Sequence, residues 1–173
     1  SGMVNFLNAL LSAGCILFLF WSITRLVRAL LVGDERKLSV MDVIIILGAG
    51  FVGALAYTFS DTFWFSAVEG EVYAFSSFLT ALVFWMILRW QDESDSVSGD
   101  RWIILIAYII GLSIGVHLLN LLCIPAIVLV FYYQKYQTLS LKGVIGAIAL
   151  SGILIVLILF VYIPGMADVG GWF

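Results

Sequence analysis

The chain has 173 residues, of which 64% are hydrophobic and 11% are charged, and its mean hydropathy is +1.17. Soluble domains are far more polar, so this composition indicates an integral membrane protein surrounded by membrane lipids. Eight Lys and Arg against 11 Asp and Glu give a formal net charge of −3. That balance provides no basic surface for nucleic acid, and we expect no nucleic-acid partner.

The two ends and the cysteines carry little chemistry. Ser1 and Gly2 look like the remnant of a cleaved tag, and the residues after them lack the basic region of a signal peptide. We therefore expect the sequence to start inside a longer protein. Cys15 and Cys123 lie in apolar runs without metal-ligand spacing, where a thiol behaves as a small apolar side chain.

Apolar runs of membrane length follow one another along the chain. A helix needs roughly 20 residues to cross a hydrocarbon core of about 30 Å. The runs predict an all-α, polytopic transmembrane helical bundle over residues 3–173, with spans at about 4–31, 42–59, 72–90, 102–117, 121–134 and 141–163. The run 102–133 is split because a single helix of that length would measure about 48 Å. His117, Asn120 and Pro125 mark the break.

The positions of the basic residues orient these six spans. With the N-terminus outside, all eight Lys and Arg fall on the cytoplasmic side. Lys and Arg in the short loops of membrane proteins are enriched on that side. This orientation places the segments around Arg36, Ser96 and Gln137 in the cytoplasm. It places the segment 59–73 on the outer side.

Two glycine patterns in the sequence could indicate either a functional motif or close helix packing. Residues 43–53 match the GxGxxG fingerprint of dinucleotide-binding domains. Such a domain needs alternating strands and amphipathic helices, whereas every later segment here is a membrane-length apolar run. We therefore interpret these glycines, and the GxxxG of Gly111 and Gly115, as sites of close helix packing.

The outer segment 59–73 is rich in acids and aromatic residues. Ser60 or Asp61 can begin a short helix and Gly70 can end it. Four apolar side chains would rest that helix on the membrane surface: Phe63, Trp64, Phe65 and Val68. Its acids are Asp61, Glu69 and Glu71, which could orient sugar hydroxyls, act as a base or hold a divalent cation such as Mg or Mn. The alternative is an aromatic belt with solvated acids.

His117 is the only histidine and lies near the outer face beside Asn120. A single histidine is often a hydrogen-bonded packing residue. An ionisable group at the end of a membrane helix is also a candidate for function, so both interpretations stay open.

Three segments carry a resemblance to a known family: Asn8–Ala13 with Phe18–Thr24, then Ser60–Tyr73, then Gly111–Asn120. They resemble a bacterial family of multi-pass membrane proteins formerly of unknown function (the DUF2723 type), related to an animal protein O-mannosyltransferase. The resemblance implies a GT-C glycosyltransferase in the bacterial inner membrane, with the start of this chain periplasmic. Such an enzyme transfers a sugar, with mannose as a candidate, from a polyprenyl-phosphate donor to a protein or glycan acceptor on the outer face.

The resemblance also implies which residues belong to the site. Members carry, before the segment that matches Asn5 onward, a further helix and an outer loop expected to hold the main catalytic carboxylate. We therefore expect this chain to be a part of the membrane domain, incomplete at both ends and inactive by itself. The catalytic candidates are Asp61, Glu69 and Glu71, and the candidates for substrate binding are Trp64, Tyr73, His117 and Asn120.

The alternative function is that of a transporter or a structural membrane subunit without catalysis. Short helices, a break within a span and glycine-rich packing would suit either of these. An ion-coupled carrier usually has an acid or base within a span, whereas the polar candidates here cluster at the outer face.

Overall fold

The computed structural model describes residues 2–32, 37–69, 72–93, 99–136, 140–165 and 171, except for the side chains of residues 100 and 119. Several predicted positions lie outside these residues, namely Arg36, Gly70, Glu71, Ser96 and Gln137.

The described chain is all-α, as the sequence predicted, and contains no strand. The helices are α1 (Gly2–Leu31), α2 (Val40–Thr58), α3 (Asp61–Val68), α4 (Tyr73–Glu93), α5 (Gly99–Ile114), α6 (Cys123–Tyr136) and α7 (Leu141–Leu157). A 3₁₀ helix, Leu118–Leu122, precedes α6, and a π-helical turn, Ile158–Tyr162, follows α7.

Four of the helical stretches are long and apolar enough to cross a membrane: Gly2–Leu31, Val40–Thr58, Tyr73–Glu93 and Leu141–Gly165. The apolar run 102–133 is divided between α5 and α6, with turns at residues 115 and 116 where the sequence indicated a break. The loop predicted over residues 91–101 is shorter than expected, because α4 continues to Glu93 and α5 already begins at Gly99. The chain is thus a multi-pass membrane protein, and the number of six spans stays a prediction.

Residues 1–120 form one compact unit in which α1 packs against both α2 and α4. The α1–α4 contacts pair Cys15 with Ser77 and Arg25 with Asp92, so the two helices run parallel. Connected through α2, they place α3 at the end of the unit where α1 starts. Helix α4 packs in addition on α5, and its buried side chains include Val83 and Ile87.

The interface of α1 and α2 explains the GxGxxG pattern. All of residues 43–53 are helical, so no strand precedes the glycines as a dinucleotide fingerprint requires. A Cβ built at Gly50 would lie 2.5 Å from Thr24 Cγ2 and 2.9 Å from Phe20 Cε2, both on α1. A Cβ at Gly53 would lie 2.6 Å from Ile23 Cδ1, whereas Gly48 faces open space. Two of the three glycines therefore permit the close approach of α1 and α2.

The second glycine pattern does not act in this way among the described residues. A Cβ at Gly111 would meet nothing within 4 Å, and one at Gly115 would meet only Leu112 O at 3.5 Å. Within the described part of the first unit no side chain packs against Gly111, and internal packing of this GxxxG stays a prediction.

Residues 121–173 form the second compact unit, in which α6 packs against α7. Ser140 begins α7, and its Oγ accepts a hydrogen bond from Gly143 N at 3.1 Å. Tyr132 of α6 lies near this start, with its Oη 3.2 Å from Ser140 Oγ. These contacts join α6 to the start of α7.

Candidate functional site

The short helix α3 lies at one end of the first unit, against α1, α2 and α4. Ser60 precedes it, but the Ser60 hydroxyl donates to Tyr57 O at 2.8 Å and does not cap the helix. Phe63 is buried and its ring centre lies 4.7 Å from that of Tyr57. The expectation that Phe63 rests on the membrane surface is therefore wrong, whereas Trp64 and Phe65 are exposed. We call this end of the unit the α3 end.

The two described acids of the α3 end flank α3. Asp61 is its first residue, Glu69 follows its last residue, and both are exposed. At a rise of 1.5 Å per residue, eight helical residues separate the two positions by about 12 Å. Asp61 and Glu69 therefore stand at opposite ends of α3. Glu71, the third predicted acid, lies outside the described residues.

A buried amide of α1 holds the end of α3. Asn8 is 6% exposed and its Nδ2 donates to the Glu69 carbonyl oxygen at 2.5 Å. The last carbonyls of a helix have no partner within the helix, so Asn8 satisfies one of them and fixes the chain at Glu69. The sequence reasoning did not propose Asn8. The available signal was an amide inside an apolar span, with Ser12 four residues later on the same face.

Two of the predicted substrate-binding residues are in contact. The ring centres of Tyr73, the first residue of α4, and His117, which follows α5, lie 5.8 Å apart. The backbone N–H of His117 donates to Ser113 O at 2.8 Å, which closes the end of α5. Tyr73 is half-exposed, so this ring pair is accessible from one side. Asn120 is 1% exposed and lies in the 3₁₀ helix, and thus does not form part of an open surface.

A cavity of about 410 Å³ lies between α1, α3 and the end of α2. Trp64, Phe63 and Val68 line it from α3, and Ser12 and Ile16 line it from α1. Apolar side chains form most of this wall. Ser12 Oγ is buried without a hydrogen-bond partner among the described residues. The cavity can therefore take an apolar chain with one polar group near Ser12.

Charges are separated between the two ends of the unit. The acids Asp61 and Glu69 lie at the α3 end. The described basic residues lie toward the other end, which we call the basic end: Arg25 and Arg28 in the last two turns of α1, Lys37 before α2, Arg89 late in α4 and Arg101 early in α5. Two acids of the basic end pair with arginines, Asp92 with Arg25 and Glu93 with Arg89. The described part of the α3 end therefore carries net negative charge.

The described residues do not by themselves form a metal site. They contain no group of three or more His, Cys, Asp and Glu that could hold a metal ion. A divalent cation such as Mg or Mn at the α3 end stays a prediction that involves Glu71.

One family matches most of the chain. A sequence model described as the protein O-mannosyl-transferase TMEM260 N-terminal domain matches residues 1–140. This range contains the whole α3 end, including Asn8, Trp64 and His117. Comparisons with curated proteins and with solved structures gave no match.

Proposed function

The chain belongs to the family of the protein O-mannosyl-transferase TMEM260 N-terminal domain, and we propose that it forms the membrane portion of a glycosyltransferase of the GT-C type. In this proposal the α3 end faces the outer side of the membrane. There a sugar, with mannose as the first candidate, passes from a polyprenyl-phosphate donor to a protein or glycan acceptor. On the resemblance to bacterial multi-pass proteins, that side is the periplasm.

The separation of charge is the observation that carries this proposal. The described acids of the α3 end have no Lys or Arg beside them, whereas two acids of the basic end, Asp92 and Glu93, pair with arginines. Exposed carboxylates without a cationic partner can accept a proton or hydrogen bonds from sugar and acceptor hydroxyls. The orientation agrees with the preference of Lys and Arg for the cytoplasmic side.

The distance between Asp61 and Glu69 assigns them different roles. The two acids start from backbone positions about 12 Å apart along α3, so they are assigned to different parts of the substrate. Glu69 is the better-positioned group for two reasons. Asn8 Nδ2 holds its backbone carbonyl oxygen at 2.5 Å, and Tyr73, four residues further along the chain, contacts His117. We therefore assign the base or hydroxyl-orienting role to Glu69 and contacts with a more distant part of the substrate to Asp61.

The cavity beside α3 suits the lipid part of the donor. Its wall is apolar, it opens beside the exposed Trp64, and Ser12 offers one unsatisfied hydroxyl inside it. A polyprenyl chain needs an apolar path that leads from the membrane to the reacting end. The phosphate of the donor needs positive charge, and among the described residues of the α3 end only His117 is able to provide it.

The test compares amide variants of the acids in the full-length protein. Glu69→Gln should lower the rate of sugar transfer at least about 100-fold, since a positioned acid–base group typically contributes that much. Asp61→Asn should act mainly on the KM for donor or acceptor. Asp42→Asn is the matched control, because it makes the same kind of change at the start of α2, where the amide still accepts from Ser39.

The measurement follows transfer of a radiolabelled sugar from a short-chain polyprenyl-phosphate donor to an acceptor, together with the melting temperature of each variant. Activity of Glu69→Gln and Asp61→Asn within about threefold of the parent protein would contradict the proposal. The two acids would then be solvated members of an interfacial belt.

A further inference from the structure

A second cavity lies at the basic end, between α1 and α2, with a volume of about 320 Å³. Thr24, Arg25 and Arg28 form its polar side on α1. Leu38, Val43 and Leu47 form its apolar side. The cavity therefore combines two guanidinium groups with a hydrophobic wall, which is the division of chemistry found in a membrane lipid.

The two arginines have different surroundings. Arg25 Nε donates to Asp92 Oδ2 at 2.8 Å, and a second nitrogen of the same guanidinium pairs with the other carboxylate oxygen. Arg28 is exposed, one turn further along α1, and forms no ion pair with a described residue. Arg28 therefore supplies charge that an anionic ligand can neutralise, whereas the charge of Arg25 is already balanced by Asp92.

The acid nearest to this cavity on α2 is already engaged. The Asp42 carboxylate accepts hydrogen bonds from Ser39 N at 2.9 Å and Ser39 Oγ at 2.7 Å. It also lies in the first turn of α2, where the helix dipole stabilises negative charge. Asp42 is thus positioned to cap α2 and does not substitute for an anion at Arg28.

The apolar side of the cavity continues onto the free surface of α2. Its buried residues are Ile46, Gly50 and Ala54, which face α1, whereas Ile44 and Leu47 are 59% and 50% exposed. In a helix of membrane length these exposed side chains contact lipid chains. A chain that entered between Val43 and Leu47 would remain continuous with the surrounding bilayer.

We propose that the cavity between α1 and α2 at the basic end binds an anionic glycerophospholipid. The guanidinium of Arg28 pairs with the phosphate, Thr24 and Arg25 border the headgroup, and one acyl chain lies along Val43 and Leu47. Planar guanidinium groups are well suited to phosphate, and basic pockets between membrane helices favour anionic headgroups. This site lies at the opposite end from the proposed transfer site and does not depend on the proposed function.

The test measures lipid binding to the purified chain in detergent by native mass spectrometry. Phosphatidylglycerol and phosphatidylcholine with the same acyl chains are titrated separately, so that only the headgroup differs. The parent protein should retain one phosphatidylglycerol more tightly than phosphatidylcholine. Arg28→Gln should lower the affinity for phosphatidylglycerol about tenfold, as expected for loss of one hydrogen bond to a charged group. Arg28→Lys should retain part of the preference.

Two further variants separate the site from general electrostatics. Arg101→Gln removes an exposed arginine of the basic end that does not line the cavity, and should leave the preference unchanged. Leu47→Trp narrows the apolar side of the cavity. It should weaken the binding of both lipids without changing the ratio of their affinities. Equal affinity of the parent protein for both lipids would overturn the proposal. The same holds if Arg28→Gln and Arg101→Gln lower the preference equally.

Discussion

Replacing Gly50 by Ala tests whether the GxGxxG segment exists for the packing of α1 on α2. The new Cβ would lie 2.5 Å from Thr24 Cγ2 and 2.9 Å from Phe20 Cε2, well inside van der Waals contact. Thr24 is β-branched and has few alternative rotamers in a helix, so the helices have to move apart or Phe20 has to turn. Insertion of one carbon into a packed interface of this kind typically costs about 1–3 kcal/mol.

The same motif provides internal controls of graded severity. The Cβ of Gly53→Ala would meet only the terminal Cδ1 of Ile23, which can rotate away, so its cost should be smaller. Gly48→Ala meets nothing within 4 Å, and the higher helix propensity of Ala should make it neutral or stabilising by up to about 1 kcal/mol. The expected order of stability is Gly48→Ala, then Gly53→Ala, then Gly50→Ala.

The assay is unfolding of the purified protein by SDS in mixed micelles, followed by circular dichroism. A second substitution identifies the contact itself, because Thr24→Ser removes Cγ2 and keeps the hydroxyl that donates to Trp21 O. Combined with Gly50→Ala it should recover part of the lost stability, and the two changes should be non-additive. The reasoning is refuted if Gly48→Ala destabilises the protein as much as Gly50→Ala, or if the pair is additive.

Two further predictions concern orientation and the basic end. In intact cells without an outer barrier, a membrane-impermeant thiol reagent should modify Ser66→Cys and not Lys37→Cys. Both native cysteines are buried, so they should not react. Labelling of Lys37→Cys would contradict the proposed orientation. Arg25→Met should lower the free energy of unfolding by about 1 kcal/mol, because it removes a two-point ion pair that joins α1 to α4. Arg89→Met removes only a pair within α4, worth about 0.3–0.5 kcal/mol, and an equal loss for both variants would contradict this difference.

The helices were predictable because their lengths are set by the membrane. An apolar run has to continue for about 20 residues to cross the hydrocarbon core, and polar residues end it, so composition alone locates most of the boundaries. The break in the run 102–133 was predictable for the same reason, since its length exceeds one span and His117 lies where α5 has ended. The extension of α4 to Glu93 was not, because Asp92 and Glu93 are polar residues that α4 retains through pairs with arginines.

The burial of Phe63 illustrates what local patterns cannot show. An aromatic residue in a short helix between two spans suits the membrane surface and the protein interior equally well. The outcome depends on Tyr57, which precedes α3 and whose ring centre lies 4.7 Å from that of Phe63. The placement of the α3 end therefore depends on contacts with the end of α2, which no single segment of the sequence records.

The same reasoning applies to the proposed site as a whole. Asn8 and Glu69 are 61 residues apart in the sequence. They meet because α2 leads the chain back to the end where α1 starts, so that α4 can run parallel to α1. A carboxylate next to a mobile chain end would contribute little to catalysis, because its position would differ from one molecule to the next. The amide of Asn8 fixes the backbone from which the Glu69 side chain extends. The α1 span is therefore part of the proposed site through its first turns, although all the catalytic candidates of the sequence analysis lie between residues 61 and 71.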